Sequence, residues 1–101
     1  MLYRNFATSE QIDAEYDMSL VVGDPSEYFA FYARESAAAR EQHACQLDVP
    51  FGPAIEETLD IFPAADPAAP IVVFIHGGYW RRLSAKEFSY VARGLVRRGI
   101  T

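Results

Sequence analysis

Residues 1–45 carry apolar residues at helical spacing, and no run of strand-forming residues interrupts them. The spacing predicts a short first helix over Ser9–Tyr16, after which Gly23 breaks the chain. The segment Asp24–Glu27 is a stronger start signal, because an aspartate can accept from the first free N–H groups and a proline suits the first helical position. A long helix is therefore expected from Pro25 to about Ala44, and residues 1–45 are interpreted as an N-terminal helical arm.

The pattern changes after residue 46. Residues 47–51 and 57–62 are predicted to be short strands, the second with alternating apolar positions. Three prolines in 63–70 predict a loop, and the strands around that loop are expected to pair as a hairpin. Ile71–Ile75 is apolar at every position, which is typical of a central strand covered on both faces in an α/β sheet.

The remaining residues predict a helix followed by another strand. Ser84 and Glu87 have the spacing of a capping box. One helical face is formed by Phe88, Val91, Ala92, Leu95 and Val96. Gly99 is expected to end this helix in a left-handed conformation, and Ile100–Thr101 to begin the next strand. The order predicts an α/β fold whose sheet is incomplete: after the arm, 46–101 supply a hairpin, a central strand and a first crossover helix.

The composition of the chain limits the classes of partner that it is expected to bind. The chain has 101 residues, half of them hydrophobic, which allows one small domain and argues against disorder. A net charge of -5 argues against nucleic acid and anionic membrane surfaces as partners. The basic residues near the predicted helix end are explained by the helix dipole; they are Arg93, Arg97 and Arg98.

The expected cellular compartment is inferred from three features that the sequence lacks: a signal peptide, a membrane-spanning run and a pair of cysteines. The start shows no apolar signal-peptide core, and the longest purely apolar run, Ile71–Ile75, is far too short to span a bilayer. A single cysteine, Cys45, excludes an intrachain disulfide and fits a reducing compartment. A soluble cytoplasmic protein is expected.

The candidate chemistry lies in the segment His76-Gly77-Gly78-Tyr79-Trp80, directly after the apolar strand. α/β sheets place their ligand sites at this end of a strand. Consecutive glycines let the backbone approach a substrate closely, and free amides there can stabilise the negative oxygen formed during acyl transfer. The alternative is an ordinary tight turn between strand and helix.

This motif, with Arg81 after it and the Phe51-Gly52-Pro53 and Leu59–Phe62 segments before it, resembles the kynurenine formamidase (arylformamidase) and related esterase branch of the α/β-hydrolases. The resemblance extends over roughly the whole chain and is weakest in the first 25 residues. It implies an α/β-hydrolase fold and hydrolysis of a small ester or aryl-formamide, without a cofactor or a metal.

The resemblance also assigns roles within the motif. It implies that Gly77, Gly78 and Tyr79 supply oxyanion-hole amides. Trp80, together with Tyr79, is implied to line the substrate pocket, and His76 to brace the loop. In this fold the triad histidine comes last in chain order, so His76 is not assigned to the triad.

The rest of the catalytic machinery has no counterpart in the sequence. No serine has glycine two positions away on both sides, so the nucleophile elbow of the family is missing, as are the acid and the histidine that follow it. The chain is therefore expected to be inactive alone.

The other side chains that could carry chemistry have simpler interpretations. Ser84 is interpreted as a helix cap, His43 as solvated and Cys45 as an inert thiol, while Asp60 and Asp66 are interpreted as surface acids.

Two hypotheses follow. In the first, the chain is the N-terminal part of a serine hydrolase and supplies its oxyanion hole to a small ester or amide substrate. In the second, it is a truncated or split fragment without catalysis, and its exposed apolar strand makes it associate with itself or with a complementing polypeptide.

Overall fold

The computed structural model describes residues 4–101, so residues 1–3 of the predicted arm lie outside the described residues. The elements are helices α1 Ser9–Tyr16, α2 Ser19–Val22, α3 Ser26–Gln42 and α4 Ala92–Val96, strands β1 Gln46–Pro50 and β2 Thr58–Ile61, and the 3₁₀ turns Ala85–Glu87 and Ser89–Val91. The fold is thus mixed α and β, with an incomplete sheet of two antiparallel strands in its described part.

Helices α1 and α3 of the arm begin within one residue of the predicted starts, whereas α2 was not predicted. Thr8 and Gln11 form a reciprocal capping box at the start of α1. The Asp24 carboxylate accepts from the backbone N–H of Ser26 at 3.0 Å, and this bond fixes the first turn of α3. The observed ends of α3 lie within two residues of those expected.

The hairpin is formed by a different pair of strands from the one expected. β2 pairs with β1, with Val49 opposite Leu59 and Pro50 opposite Thr58, whereas the prediction paired 57–62 with 71–75. The closing loop explains the choice: the Phe51 N–H donates to the Glu57 carbonyl at 2.9 Å and the Ala54 N–H to its carboxylate at 2.7 Å. The three prolines of 63–70 have no N–H group and cannot donate bonds of this kind.

The apolar segment Ile71–Ile75 is not a doubly covered strand in this structure. It forms no regular strand, and all five residues are exposed. Its backbone does pair at one point: Thr101 N–H donates to the Pro70 carbonyl at 3.0 Å, and Val72 N–H donates to the Thr101 carbonyl at 2.8 Å. These two bonds are those of a parallel pair between residues 71 and 101, which is the geometry of a βαβ crossover.

The crossover helix is also broken. The capping box between Ser84 and Glu87 is confirmed, but two 3₁₀ turns follow it and α4 has only 5 residues. At its end Gly99 adopts φ +74°. The N–H groups of Gly99 and Ile100 donate to the carbonyls of Val96 and Leu95, a Schellman motif that confirms the predicted terminator.

The break has a physical cause in α3. In a continuous α-helix the Lys86 carbonyl accepts from the Tyr90 N–H. Here the Arg40 guanidinium donates to that carbonyl at 2.6 Å, and the Tyr90 N–H donates to Ser36 Oγ at 3.2 Å. Both groups of one helical hydrogen bond are therefore satisfied by the arm, and the helix cannot close at that point.

The contact between α3 and residues 85–93 is the best-packed part of the molecule. Ser36 and Ala39 on α3 and Ser89 opposite are buried, and the Tyr32 ring stacks on the Tyr90 ring at 5.7 Å with an interplanar angle of 6°. Beyond it little is covered, since Ala39 and Phe62 are the buried apolar residues of 4–101. A radius of gyration of 18.4 Å, against about 13 Å for a compact chain of this length, agrees with an open structure.

A second connection joins the hairpin to the 3₁₀ turn Ala85–Glu87, which follows the glycine-containing loop 76–80. The Lys86 ammonium lies 2.6 Å from Asp60 and 2.8 Å from Asp48. The Asp60 side chain is only 6% exposed, so the expectation that it is a surface acid is wrong: the ion pair compensates for its burial. Burial lowers the pKa of Lys86, but the bonds to both aspartates outweigh it and hold the pKa above its ordinary value.

Two glycines of the crossover segment should respond in opposite directions to alanine. Gly94 lies inside α4, and a Cβ there meets only Arg98 Nη1 at 3.7 Å, so Gly94→Ala should raise the free energy of unfolding by about 0.5–1 kcal/mol. Gly99 has φ +74°, so Gly99→Ala should lower it by about 1 kcal/mol. Urea unfolding of both variants measures the difference, and equal shifts would contradict the assigned helix end.

The ion pair between α3 and the crossover predicts a pH dependence. Hydrogen bonds from Arg93, and then from Arg34, hold the pKa of Glu35 below its ordinary 4.5. A lowered carboxyl pKa stabilises the fold above the unfolded value, and this stabilisation disappears as pH falls through the folded value. Glu35→Gln should therefore destabilise the chain at pH 7 and have little effect well below pH 4.5.

Chemical denaturation at both pH values tests this expectation. Glu41→Gln is the matched control, since Glu41 is exposed on the same helix and forms none of the ion pairs within residues 4–101. A Glu35→Gln effect that is the same at both pH values would mean that the carboxylate charge does not hold the arm in place.

Candidate functional site

The backbone of the HGGYW segment forms a tight left-handed turn. Gly78 has φ +134°, and Tyr79 and Trp80 follow with φ +54° and +57°. The Arg81 N–H donates to the Gly78 carbonyl at 3.1 Å and closes the turn. Positive φ at both central residues is the sign pattern of a type I′ turn, which glycine and asparagine normally occupy. Two aromatic residues there store backbone strain, a feature that concentrates at functional sites.

The two glycines of the loop have different steric demands. A Cβ on Gly78 would lie 1.8 Å from the Arg82 carbonyl oxygen, so no other residue fits without moving the turn. A Cβ on Gly77 would meet nothing within 4 Å. The turn therefore requires glycine at 78, while 77 is open to solvent on that side.

The amides of the loop are available to a ligand. In the described chain, the N–H groups of Gly77, Gly78 and Tyr79 donate no hydrogen bond, whereas those of Arg81 and Arg82 both donate to the Gly78 carbonyl. Free N–H groups on a strained turn are what an oxyanion-binding loop requires. An ordinary tight turn would also leave some amides free, so the geometry fits the oxyanion role without deciding it.

An open cleft of about 510 Å³ lies beside the turn. Gly78 and Tyr79 line it, so two of the three predicted oxyanion amides belong to residues at its surface. The remaining lining residues are Phe29, Arg81, Arg82 and Leu83. Gly77, His76 and Trp80 do not line the cleft, and Trp80 is 98% exposed.

His76 contacts the loop and the crossover together. Its Nδ1 lies 2.8 Å from the Gly77 carbonyl oxygen, and its ring stacks on Phe88 at 5.7 Å with an interplanar angle of 12°. These contacts suit the predicted bracing role, which stays a prediction. Glu87 lies nearby, and its pKa is lowered first by the hydrogen bond from Ser84 and only weakly by His76.

Three further side chains were candidates for chemistry. Ser84 caps the turn: in the capping box its backbone N–H donates to the Glu87 carboxylate at 2.7 Å, and its Oγ donates to the same carboxylate at 2.7 Å. Cys45 is half-buried, with Sγ 3.8 Å from the Arg40 carbonyl oxygen. His43 is not solvated as expected: its Nε2 is buried and has no hydrogen-bond partner in the described chain.

Two other features are absent from residues 4–101. No cluster of three or more histidine, cysteine or acidic side chains is arranged to hold a metal ion there. No helix of that part is long and apolar enough to cross a membrane.

Sequence reasoning missed the far wall of the cleft. Phe29 lies on α3, distant in sequence from the loop, and only the packing of the arm brings it to Tyr79. Arg81 and Arg82 follow the motif directly, but no spacing rule marks an arginine in a loop as a cleft residue. The one available signal was the density of aromatic residues on α3, where 28–32 contain four.

Comparison with known proteins gives a direction for the function. The chain is 38% identical over 71 residues to a kynurenine formamidase of Danio rerio, which covers 66% of this chain. It is similar to kynurenine formamidases. A second such enzyme, from Salmo salar, is 38% identical over 56 residues, or 54% of this chain. The matches span only 24% and 19% of the length of those relatives. No protein-family profile and no solved structure matches the chain.

Amide hydrogen exchange measures whether the loop amides are free. The N–H groups of Gly77, Gly78 and Tyr79 should exchange at rates close to those of an unstructured peptide, because nothing in the described chain accepts from them. The N–H groups of Arg81 and Arg82 should exchange more slowly, since both are bonded to the Gly78 carbonyl. Protection at 77–79 as strong as that at 81–82 would show that the amides are occupied by the fold itself.

Proposed function

We propose that the chain supplies the oxyanion-binding loop of a serine hydrolase of the α/β-hydrolase type that cleaves a small formamide or ester, with an aryl-formamide as the preferred class. The observation that carries the proposal is the strained Gly78–Trp80 turn, in which Gly78 and Tyr79 have unbonded amides and belong to the lining of a cleft. The similarity to kynurenine formamidases supports the choice of a formamide.

The chemistry assigned to the loop is electrostatic. When a nucleophile attacks the formyl carbon, the carbonyl oxygen gains negative charge. In the proposal, the amides of Gly77, Gly78 and Tyr79 donate to this oxygen. Such donors are already oriented by the turn, so they need little rearrangement as the charge develops. The turn strain would then be the cost of pre-organisation.

The remaining groups are assigned outside this chain. A serine nucleophile, its acid and its histidine have no counterpart among the 101 residues. In the proposal a complete enzyme provides them next to the cleft, and residues 71–75 pair with further strands of the sheet. An oxyanion loop without a nucleophile gives little acceleration, so the 101-residue chain alone should not turn over substrate.

A chimera tests the proposal. The segment of the Danio rerio kynurenine formamidase that this chain matches is replaced by the matching residues of this chain, and hydrolysis of formanilide is measured. The chimera should be active. Gly78→Ala in the chimera should lower kcat by about 10²–10³, the cost of losing an oxyanion donor, because the added methyl collides with the Arg82 carbonyl and displaces the turn.

Gly94→Ala is the matched control, since it makes the same substitution in the next helix without strain. It should retain kcat, and both variants should keep the far-UV circular dichroism of the parent chimera. A folded Gly78→Ala chimera with unchanged kcat would remove the loop from catalysis.

A second candidate function rests on a separate observation. The five exposed apolar residues 71–75 suit a non-catalytic module that binds another polypeptide or a second copy of itself. The two functions differ in the chimera assay: a folded but inactive chimera, together with dimers of the 101-residue chain in sedimentation, favours the binding module.

A further inference from the structure

The crossover segment 85–96 is broken although its sequence carries the local signals of one continuous helix. The capping box of Ser84 with Glu87 starts it, a single apolar face runs along it, and Gly99 ends it in a left-handed conformation. Only its first half departs from an α-helix, as two 3₁₀ turns. Both ends of a longer helix are therefore already formed, and the break between them is imposed from outside the segment.

The break lies at Phe88, between the two 3₁₀ turns. Phe88 has φ −114° and ψ 6°, in the sparsely populated bridge region, whereas a residue inside an α-helix has about −63° and −42°. Its ring lies 5.6 Å from the Tyr32 ring of the arm and stacks on His76 at 5.7 Å between centroids. A change of Phe88 to helical angles would re-aim this ring, so Phe88 connects the arm to the loop 76–80.

The contact that imposes the break is mainly polar. Besides its bond to the Lys86 carbonyl, Arg40 Nη1 donates to Ser89 Oγ at 2.9 Å. Arg40 is half-buried and joins no ion pair in the described part of the chain, so neutral acceptors hold its charge. Among residues 4–101, Ala39 is the one buried apolar residue of this contact. Polar interfaces within a chain resemble transient ones and permit relative motion.

Loss of the contact frees two groups that can bond to each other. When α3 moves away, the Lys86 carbonyl loses Arg40 and the Tyr90 N–H loses Ser36. These groups are the acceptor and the donor of one α-helical hydrogen bond, and unpaired backbone groups are costly. The capping box lies within the segment itself, so the first turn of the helix persists and need not be nucleated again. Departure of the arm thus favours more helix.

We propose that residues 85–96 are a two-state element controlled by the arm. With α3 docked, the segment is broken at Phe88 and the Phe88 ring lies against His76. With α3 displaced, the segment closes into one α-helix and the ring leaves His76. Because the two events are coupled, anything that displaces α3 also changes the support of the loop 76–80. The inference goes beyond the proposed function and does not depend on it, since it concerns conformation and not turnover.

The double variant Ser36→Ala/Arg40→Ala of the 101-residue chain tests the coupling by NMR. Alanine at both positions preserves the helix propensity of α3 while removing its bonds to the crossover. The Cα shifts of 86–90 should move to α-helical values, and a hydrogen-bond scalar coupling should appear between the Tyr90 amide nitrogen and the Lys86 carbonyl carbon. The continuous helix should become at least about ten-fold more populated. Movement of these shifts towards random-coil values, or no movement, would overturn the inference.

Glu41→Ala/Gln42→Ala is the matched control. Both residues are exposed near the same end of α3, and neither takes part in the hydrogen bonds between α3 and 85–93. The control should keep the parent shifts at 86–90. It should also keep the ring-current shift that Phe88 gives the His76 ring protons, which the test variant should lose. Equal changes in both double variants would show that the contact does not control the segment.

Relaxation dispersion on the parent chain decides the question even when the test variant does not fold. The amides of 86–90 should exchange on the microsecond-to-millisecond timescale with a minor state that has α-helical shifts. The arm amides at 36–40 should exchange at the same rate, because one event moves both. Exchange towards random-coil shifts, or none at 86–90, would reject the two-state element. An inactive chimera, by contrast, would bear only on the hydrolase proposal.

Discussion

The structure depends on one exchange of hydrogen bonds between α3 and the segment after the glycine loop. Arg40 and Ser36 take over the Lys86 carbonyl and the Tyr90 N–H, which would otherwise bond to each other in a continuous helix. The exchange costs a turn of α-helix but leaves both backbone groups satisfied within a part-buried contact. It fixes the arm against the crossover, and the Glu35–Arg93 pair extends the same contact.

That contact gives the candidate site its shape. The arm brings Phe29 to the cleft. The Lys86 ammonium pairs with Asp60 of the hairpin, and the Lys86 carbonyl accepts a hydrogen bond from Arg40 of the arm, so Lys86 connects the hairpin to the arm. The loop itself is defined locally, because Gly78 excludes a Cβ and its carbonyl accepts from the N–H groups of both Arg81 and Arg82. A locally defined turn held between two connected elements is a suitable way to orient free amides.

The exposure of the apolar segment 71–75 agrees with the small share of the related kynurenine formamidases that this chain spans. A strand that is apolar on every side is stable only when other layers cover it. Here only the Phe74 ring finds an aromatic neighbour, Phe88, and the chain spans about a quarter or less of the kynurenine formamidases that it matches. In both proposals another polypeptide segment covers residues 71–75. In the hydrolase proposal that segment also carries the nucleophile, whereas in the binding-module proposal it does not.

Local chemistry was readable from the sequence. The bounds of α3, the Ser84–Glu87 capping box and the Gly99 terminator follow from short-range hydrogen bonds and from a residue's own backbone preference, so the residues alone determine them. Strand pairing, the broken crossover helix, the burial of Asp60 and His43 and the place of Phe29 were decided only by tertiary structure. The broken helix and the buried carboxylate each depend on a partner far along the chain: Arg40 for Lys86, and Lys86 for Asp60. Periodicity shows that a side chain or a backbone group needs a partner, but only packing determines which one it obtains.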